Sequence, residues 1–495
     1  MRTWHVAVAA LVIGCGACAA PQRAGTDVGT DVGTEAEKLN LELFGYNDLQ
    51  ARSAYQPFIR QQGDRWIAYI GHHAGVQPNP LTGQEEDNGT SIVDVTDPSQ
   101  PRYLAHIPGA EGQSGGAQMA QVCSGLELPR GEDGKFYLLR SLGNIGHEIW
   151  DVTDPAAPSH LTVVVSELTG THKNWWECDT GIAYLVSGDP EWRTDRMTQI
   201  YDLSDPMEPV FIRDFGLPGQ QPGATGLVPI DLHGAVSTGP QGNRLYFGYG
   251  TSQGGVIQIV DRDKLLNGPK EPTDANLLYP QVSRSDLPPD AGAHTTFPLL
   301  GMEVAEFAKQ RVPAAAAGGD EGEAAAPQRA QSSRDFVAVV SETTANECLQ
   351  PRQLVRLVEV TTESKPYGAS TWTVPEARGN FCDRGGRFGA HASQESFHPI
   401  YYNRVLFVSH FNAGVRALDV RDPYDPQEIA YFIPAVTPNT DERCVGTGDA
   451  QRCKIAIQTN NVEVDDRGYI YIVDRANTGM HILELTGPAR EVANW

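Results

Sequence analysis

The chain has 495 residues, with 38 Lys and Arg against 62 Asp and Glu, for a formal net charge of −24. Its 51 glycines and 34 prolines are too many for a helical bundle, and its hydrophobic fraction of 40% is too high for a disordered chain. The charge would repel phosphate backbones and anionic lipid, so we expect no nucleic-acid partner and no membrane contact other than through a lipid anchor.

The N-terminus predicts export. Residues 1–14 contain one arginine and then an apolar run from Trp4 to Ile13. At about 1.5 Å per helical residue this run covers about 15 Å, half the hydrocarbon core of a bilayer, so it is a signal peptide rather than a transmembrane anchor. The run ends in Val-Ile-Gly-Cys, which resembles the cleavage box of bacterial lipoproteins. Cys15 is the predicted lipidation site, with Cys18 or plain secretion as the alternatives.

Residues 15–38 are predicted to form a flexible tether. They repeat a short TDVG unit and lack the large apolar residues that a core requires. The mature protein would therefore be lipid-anchored in the cell envelope, on its periplasmic or surface side, or secreted if no lipid is attached.

Four segments share one pattern: an apolar strand that ends in aspartate, an Asp-Pro turn and a second strand. They begin at Ser91, Glu148, Gln199 and Val415. Asp-Pro favours a turn because proline fixes φ and the aspartate side chain can accept hydrogen bonds from amides beyond it. Weaker copies begin near residues 256, 354 and 481, and a further β-rich run precedes each copy. The pattern predicts seven units, each a small antiparallel sheet.

These units predict an all-β fold, a seven-bladed β-propeller. Repeats that cannot bury their own faces must stack or close into a ring, and four-stranded units close into propellers. The last unit lacks one strand, and the spare strand at residues 40–45 is predicted to complete it and join the ends of the ring. Two β-sandwiches, the alternative, explain neither the register of the repeats nor the missing strand.

The segments resemble the LVIVD-repeat family of bacterial exported β-propeller proteins, most closely in SHFNAGVRALDVRDPYDP at residues 409–426. The resemblance covers residues 39–495 and implies the propeller fold. It implies no particular activity, because the family is mostly uncharacterised and propellers host unrelated functions. One departure is residues 311–333, an insertion rich in Ala, Gly and Glu that we expect to be disordered.

Histidines recur at one position of the predicted blades. When the units are aligned on their second strands, the position that enters the axial channel is histidine in blades three to six, namely His172, His233, His294 and His391. Blade two has Gln118 there, blade seven Asn460 or Asn461, and blade one a residue near Ser53 or Ala54. The alignment predicts a His-lined mouth at one end of the channel.

Four converging imidazoles are a donor set for iron, copper or zinc. In arrangement, though not in sequence, they resemble the four-His iron site of carotenoid oxygenases and the His-rich channel of selenium-binding proteins. Our first hypothesis is a protein that binds a metal, or a small molecule, peptide or glycan, at this mouth, where the acidic chain would concentrate cations. The alternatives are a metal-dependent oxidoreductase or oxygenase with a four-His site, and a protein-interaction scaffold with structural histidines.

Other candidates lie on the same face. The loops between second and third strands carry His72, His73, His147 and His410, which are possible substrate contacts or supports for the ligands. Glu395 follows His391 by four residues, keeps its strand parity and is a candidate acceptor that orients an imidazole.

Beyond Cys15 and Cys18 the chain has six cysteines, an even number that an exported protein can pair. The repeat register places Cys123 and Cys178 on neighbouring inner strands and Cys348 and Cys382 on the loop face of blade five, while Cys444 and Cys453 bracket one glycine-rich loop. We predict these three disulfides, with free buried cysteines as the alternative.

Trp175 and Trp176 are adjacent on the predicted inner strand of blade three. Their rings could form a platform for a sugar or an apolar ligand. Packing within the blade is the simpler interpretation, because propeller cores use tryptophan freely.

Overall fold

The computed structural model describes residues 35–113, 116–304 and 333–494. The predicted signal peptide, the lipidation site Cys15, most of the predicted tether and the insertion at 311–332 lie outside these residues. Within the described ranges, none of the helices combines the length and the apolar character needed to cross a bilayer.

Seven four-stranded antiparallel sheets form the blades of a propeller. The predicted all-β, seven-bladed fold is therefore confirmed. Two strands precede blade one: β1 (Glu37–Leu39) and β2 (Leu41–Asn47). Blade one contains β3 (Ala54–Gln62), β4 (Arg65–His72), an inserted hairpin of β5 (Val76–Asn79) and β6 (Gln84–Asp87), then β7 (Thr90–Asp94) and β8 (Arg102–Ile107).

The next three blades are regular. Blade two contains β9 (Ala120–Ser124), β10 (Phe136–Leu142), β11 (Gly146–Asp151) and β12 (Ser159–Val165). Blade three contains β13 (Asn174–Trp176), β14 (Ile182–Ser187), β15 (Met197–Asp202) and β16 (Val210–Phe215). Blade four contains β17 (Leu232–Ser237), β18 (Arg244–Tyr249), β19 (Val256–Asp261) and β20 (Gln281–Asp286).

The last three blades complete the ring. Blade five contains β21 (Thr295–Glu303), β22 (Ser333–Val340), β23 (Val355–Glu359) and β24 (Tyr367–Trp372). Blade six contains β25 (Val405–Ser409), β26 (Val415–Asp419) and β27 (Gln427–Ile433), followed by a hairpin of β28 (Glu442–Val445) and β29 (Arg452–Ile455). Blade seven contains β30 (Thr459–Val464), β31 (Ile470–Asp474) and β32 (Met480–Leu485).

Helices are few and short in the described residues. The α-helices are α1 (Gly239–Gly242), α2 (Arg262–Asn267), α3 (Asp274–Leu278) and α4 (Gly487–Arg490). The 3-10 helices are Leu49–Ala51, Glu376–Arg378, Phe381–Asp383 and Gly448–Ala450.

The N-terminal strand closes the ring. Strand β2 pairs antiparallel with β32 as the outer strand of blade seven, so the first and last strands share one sheet. Leu41, which is fully buried, packs in the core between blades six and seven. The predicted closure is confirmed, with the strand at Leu41–Asn47 rather than at residues 40–45.

Blade six departs from the regular pattern. Its sheet has β1 at the outer edge, so residues 37 and 38, which the sequence places in the tether, belong to this blade. The inner position is occupied by an irregular segment that starts at His391, whose backbone N–H donates to the carbonyl of Ser409 at 3.0 Å. This segment faces the channel as the inner strands of the other blades do.

The Asp-Pro turns are held by their own aspartates. In each strong repeat the aspartate Oδ1 accepts the N–H of the residue two positions on, at 3.0 Å, in the pairs Asp97–Ser99, Asp154–Ala156, Asp205–Met207 and Asp422–Tyr424. These turns join third to fourth strands, at the face opposite to the one where the inner strands begin. The Asp-Pro turns therefore do not form the channel mouth, which consists of other residues.

All three predicted disulfides form. Cys123–Cys178 joins blades two and three, Cys348–Cys382 joins loops of blade five, and Cys444–Cys453 ties β28 to β29. The repeat register indicated the first two pairs, and the short spacing around a glycine-rich loop indicated the third.

Candidate functional site

The four predicted histidines converge at the end of the channel where the inner strands begin. His233 lies in β17, whereas His172 and His294 immediately precede β13 and β21. His391 starts the irregular inner segment of blade six. Each is buried, with at most 5% of its surface exposed. Together with Tyr55 and Glu342, described next, they form what we call the channel-mouth cluster.

His172, His233 and Tyr55 form one half of the cluster. The Nε2 atoms of the two histidines lie 2.8 Å apart, so one ring donates a hydrogen bond to the other. Tyr55 Oη is 3.1 Å from His172 Nε2 and 3.5 Å from His233 Nε2. His172 Nδ1 bonds the side-chain oxygen of Gln118, whereas His233 Nδ1 has no hydrogen-bond partner among the described residues. The three side chains of this half are in close contact, but their hydrogen bonds are incomplete.

His294, His391 and Glu342 form the other half. The Nε2 atoms of His294 and His391 lie 3.7 and 3.8 Å from carboxylate oxygens of Glu342, beyond hydrogen-bonding distance. One ligand atom from each of the three residues lies within 4.8 Å of the others. Two metal–ligand bonds of about 2.1 Å can bridge up to about 4.2 Å, so an ion can fit between the carboxylate and either ring.

The two halves touch through their rings. The ring centroids of His233 and His294 lie 3.5 Å apart with the planes tilted by 31°, and those of His294 and His391 lie 4.5 Å apart. The four imidazoles therefore form one continuous row around the mouth rather than four separate side chains.

Burial keeps these imidazoles neutral. It lowers the pKa of three of them well below the ordinary value of 6.5, and that of His391 to about 4. Burial acts to raise the pKa of Glu342, but His391, Arg387 and Arg475 outweigh it and hold that pKa below its ordinary value. Near neutral pH the cluster offers neutral imidazoles and one carboxylate, the protonation states that a metal ion requires.

Arginines surround the mouth despite the acidic chain. Arg387 Nη1 donates to Glu342 at 2.7 Å, and Arg475 Nη1 lies 3.5 Å from the same carboxylate. Arg196 and His233 line an open cavity of about 410 Å³. The cavity brings solvent to the edge of His233, and Asp195 and Asp231, which also line it, oppose the charge of Arg196.

Neighbouring blades supply the residues expected at the remaining register positions. Gln118 contacts both His172 and His73, whose Nδ1 lies 2.9 Å from Gln118 Nε2. The carbonyl of Asn460 lies 2.5 Å from His391 Nδ1. His73, with its ring 5.2 Å from that of Tyr55, thus joins the surroundings of the cluster.

The other loop histidines belong to the blades. His72 Nε2 lies 2.7 Å from the hydroxyl of Ser91, and its Nδ1 lies 3.3 Å from the carbonyl of Ser53. His147 is buried in blade two, and His410 is buried in blade six near Trp372 and Phe388. The structure does not bring these three histidines to the cluster.

Glu395 has a different partner from the one expected. It pairs with Lys173 and accepts a hydrogen bond from Gln56 Nε2 at 3.2 Å, further along the channel. Four residues of extended chain cover up to about 13 Å, which removes Glu395 from the imidazole of His391. The expectation that Glu395 orients this ring is corrected: the ring's Nδ1 contacts a backbone carbonyl.

Sequence reasoning missed Tyr55 and Glu342. Tyr55 lies just beyond the predicted position in blade one because the pairing of β3 with β4 shifts register between Ala54 and Pro57. Glu342 lies shortly after β22, at the second-strand end where loop histidines were sought in other blades. A search of those ends for carboxylates as well as histidines would have found it.

The chain is similar to three solved structures. The Raptor structure of Chaetomium thermophilum aligns with a TM-score of 0.50 at 10% identity, covering 92% of this chain and 30% of the Raptor chain. The Cps50 (Swd1) β-propeller domain of Myceliophteria thermophila aligns at 0.45 and 10% identity, covering 91% and 100% of the two chains. Sqt1 from Chaetomium thermophilum aligns at 0.47 and 9% identity, covering 91% and 100%. No family model and no curated protein matches the chain.

Proposed function

We propose that the channel-mouth cluster binds one transition-metal ion, held first by His294, His391 and Glu342. The supporting observation is that a ligand atom of each lies within 4.8 Å of the others. Nitrogen donors with one carboxylate suit iron, copper and zinc. His233, whose ring contacts that of His294, and His172 are the further ligands of the proposed four-His set.

A bound metal would face the cavity that opens beside His233. It would act there as a Lewis acid or a redox centre towards a small molecule. Burial raises the pKa of Tyr55 well above its ordinary value of 10, so its phenol would stay protonated and donate hydrogen bonds. This cavity favours a site for a small molecule, either in a binding protein or in the oxidoreductase or oxygenase alternative, over a scaffold with purely structural histidines.

The proposal is tested by titrating the metal-free mature domain with Co²⁺, Cu²⁺ and Zn²⁺ and following the ligand-field spectrum of the cobalt form. We expect saturation near one equivalent and loss of the signal in His391→Gln. His147→Gln is the matched control, because it removes an equally buried histidine outside the cluster. If both variants bind like the parent, the histidines are structural and the scaffold alternative is favoured.

We also propose that the protein is an exported lipoprotein of the LVIVD-repeat type. The support is the apolar run ending at Cys15, together with the strong repeat at residues 409–426. Labelling cells with an alkyne fatty acid should mark the parent chain, and Cys15→Ser should abolish the label. Persistence of the label in Cys15→Ser but not in Cys18→Ser would move the anchor to Cys18.

A further inference from the structure

A second cavity lies in the channel beneath the channel-mouth cluster. Its volume is about 210 Å³. Inner strands of five blades line it, with Gln56, Phe58, Met119, Trp175, Glu395 and Glu463 among the contributing residues. Phe58 and Trp175 lie three residues beyond Tyr55 and His172, which places this lower cavity about 10 Å further along the strands.

The polar wall of the lower cavity carries more negative than positive groups. Glu395 is paired with Lys173. Glu463 is 6% exposed and takes hydrogen bonds from neutral donors, the backbone N–H of Glu395 at 2.8 Å and Nε2 of Gln56 at 3.4 Å. In the described part of the chain no cation forms an ion pair with Glu463. Of the two carboxyl groups, Glu395 alone is paired with the Lys173 ammonium.

Among the described residues at the rim of the cavity, no cation pairs with Glu463. Arg60 lines the cavity but is paired with Glu127, and His398 has its pKa lowered by burial in spite of the nearby Asp465 and Asp466. Burial, and then the charge of Glu395, raises the pKa of Glu463 to about 8, although the backbone N–H of Glu395, the Ser396 hydroxyl and Lys173 oppose this. Without a cation beside it, this carboxyl keeps its proton near neutral pH.

The remaining wall is apolar and aromatic. Phe58, Met119 and Trp175 face the same space as Glu463. Trp175 is held edge-on to Phe397, with ring centroids 6.2 Å apart. The faces of aromatic rings attract cations, and tryptophan does so most strongly. A carboxyl group without a counter-ion and an indole thus border one cavity.

We propose that the lower cavity binds a small organic cation, a primary amine that carries an apolar or aromatic body. The ammonium group would pair with Glu463, and the body would pack against Trp175 and Phe58. Pairing would favour the ionised carboxylate, so binding would release the proton of Glu463 to solvent. The site is separate from the proposed metal site and does not depend on it.

The test is calorimetric titration of the mature domain with three ligands of similar size: 2-phenylethylamine, 2-phenylethanol and 3-phenylpropionate. We expect the amine to bind at least about tenfold more tightly than the other two. We also expect its binding enthalpy to change with the ionisation enthalpy of the buffer, because a proton is released. Glu463→Gln and Trp175→Leu should each lower the affinity for the amine about tenfold or more.

The exposed Glu85→Gln is the matched charge control and should bind the amine like the parent. Near-UV circular dichroism verifies that each variant is folded, and Trp175→Leu retains both carboxyl groups if Glu463→Gln does not fold. Equal binding of alcohol and amine, no binding of the amine, or an unchanged affinity in Glu463→Gln would overturn the proposal. Cobalt binding at the mouth, measured on the same samples, should be unchanged in Glu463→Gln, so the two proposals fail independently.

Discussion

His106 differs in its surroundings from His294 and His391. His106 is fully hydrogen-bonded: its Nδ1 lies 2.6 Å from Glu86, and its Nε2 accepts the N–H of Gly89 at 3.1 Å. His294 and His391 instead direct Nε2 at Glu342 from 3.7 and 3.8 Å. Protein packing completes the first arrangement and leaves the second open to an ion.

This contrast predicts opposite effects of two substitutions. His294→Gln should remove most of the bound metal with little change in the free energy of unfolding of the metal-free protein. His106→Gln should keep the metal and lower that free energy by about 2 kcal/mol, because the buried N–H of Gly89 loses its acceptor and Glu86 loses one of its partners. Metal analysis and urea unfolding of the same preparations measure both quantities. Parallel losses in the two variants would contradict the distinction.

Buried histidines also predict how stability depends on pH. Burial lowers the pKa of His147 to about 3 and that of His481 to about 4. As the pH falls below about 6.5 the unfolded chain takes up protons that the folded chain refuses, so stability falls by about 1.4 kcal/mol per pH unit for each such histidine. Urea unfolding between pH 7.5 and pH 5 should show this loss, with a shallower slope in His147→Gln. A flat profile would mean that these rings titrate normally in the fold.

At the level of elements, the disulfides connect parts of the chain at very different separations. Cys123 and Cys178 are 55 residues apart and join the inner strands of two blades, whereas Cys444 and Cys453 are 9 apart within one hairpin. Because loop-closure entropy grows with loop length, the first bond should stabilise the fold more than the second.

We therefore expect Cys123→Ala with Cys178→Ala to lower the free energy of unfolding by about 4 kcal/mol, and Cys444→Ala with Cys453→Ala by about 2.5 kcal/mol. Denaturant unfolding under non-reducing conditions gives both values. A larger loss from the short loop would show that native packing, rather than chain entropy, sets the order.

Elements were predictable from sequence where a local chemical rule governs them. Each Asp-Pro turn is marked by its two residues, and the structure holds it by the aspartate side chain. Strand β1 was not predicted. All three residues of Glu37–Leu39 are exposed, and the position of this strand depends on its pairing with β27.

The candidate site was also predictable only in part. The four histidines follow from the repeat register, because one strand position faces the channel in every blade. Tyr55 depends on a register shift within blade one, and Glu342 on a loop outside the inner strands. The lower cavity joins Glu463 of blade seven to Trp175 of blade three, a proximity that only the closed ring creates.

For the whole molecule, closure of the ring is the main structural constraint. Truncated chains that begin at residue 36 or 40 retain β2. A truncated chain that begins at residue 48 lacks β2 and exposes the edge of β32. We expect the last to melt at a lower temperature and to self-associate, because an open strand edge pairs with other chains. Thermal unfolding and size-exclusion chromatography measure these outcomes. A monomer of unchanged melting temperature would show that blade seven is stable with three strands.

The central claim, that the mouth of the channel is a metal site, is tested most directly by the metal content of the protein itself. The mature domain, exported in its own cell type and purified without a His tag or chelator, is analysed by inductively coupled plasma mass spectrometry. We predict about one equivalent of iron, copper or zinc per chain, falling sharply in His294→Gln. Less than about 0.2 equivalents of any transition metal, with stability unchanged by chelation, would contradict it.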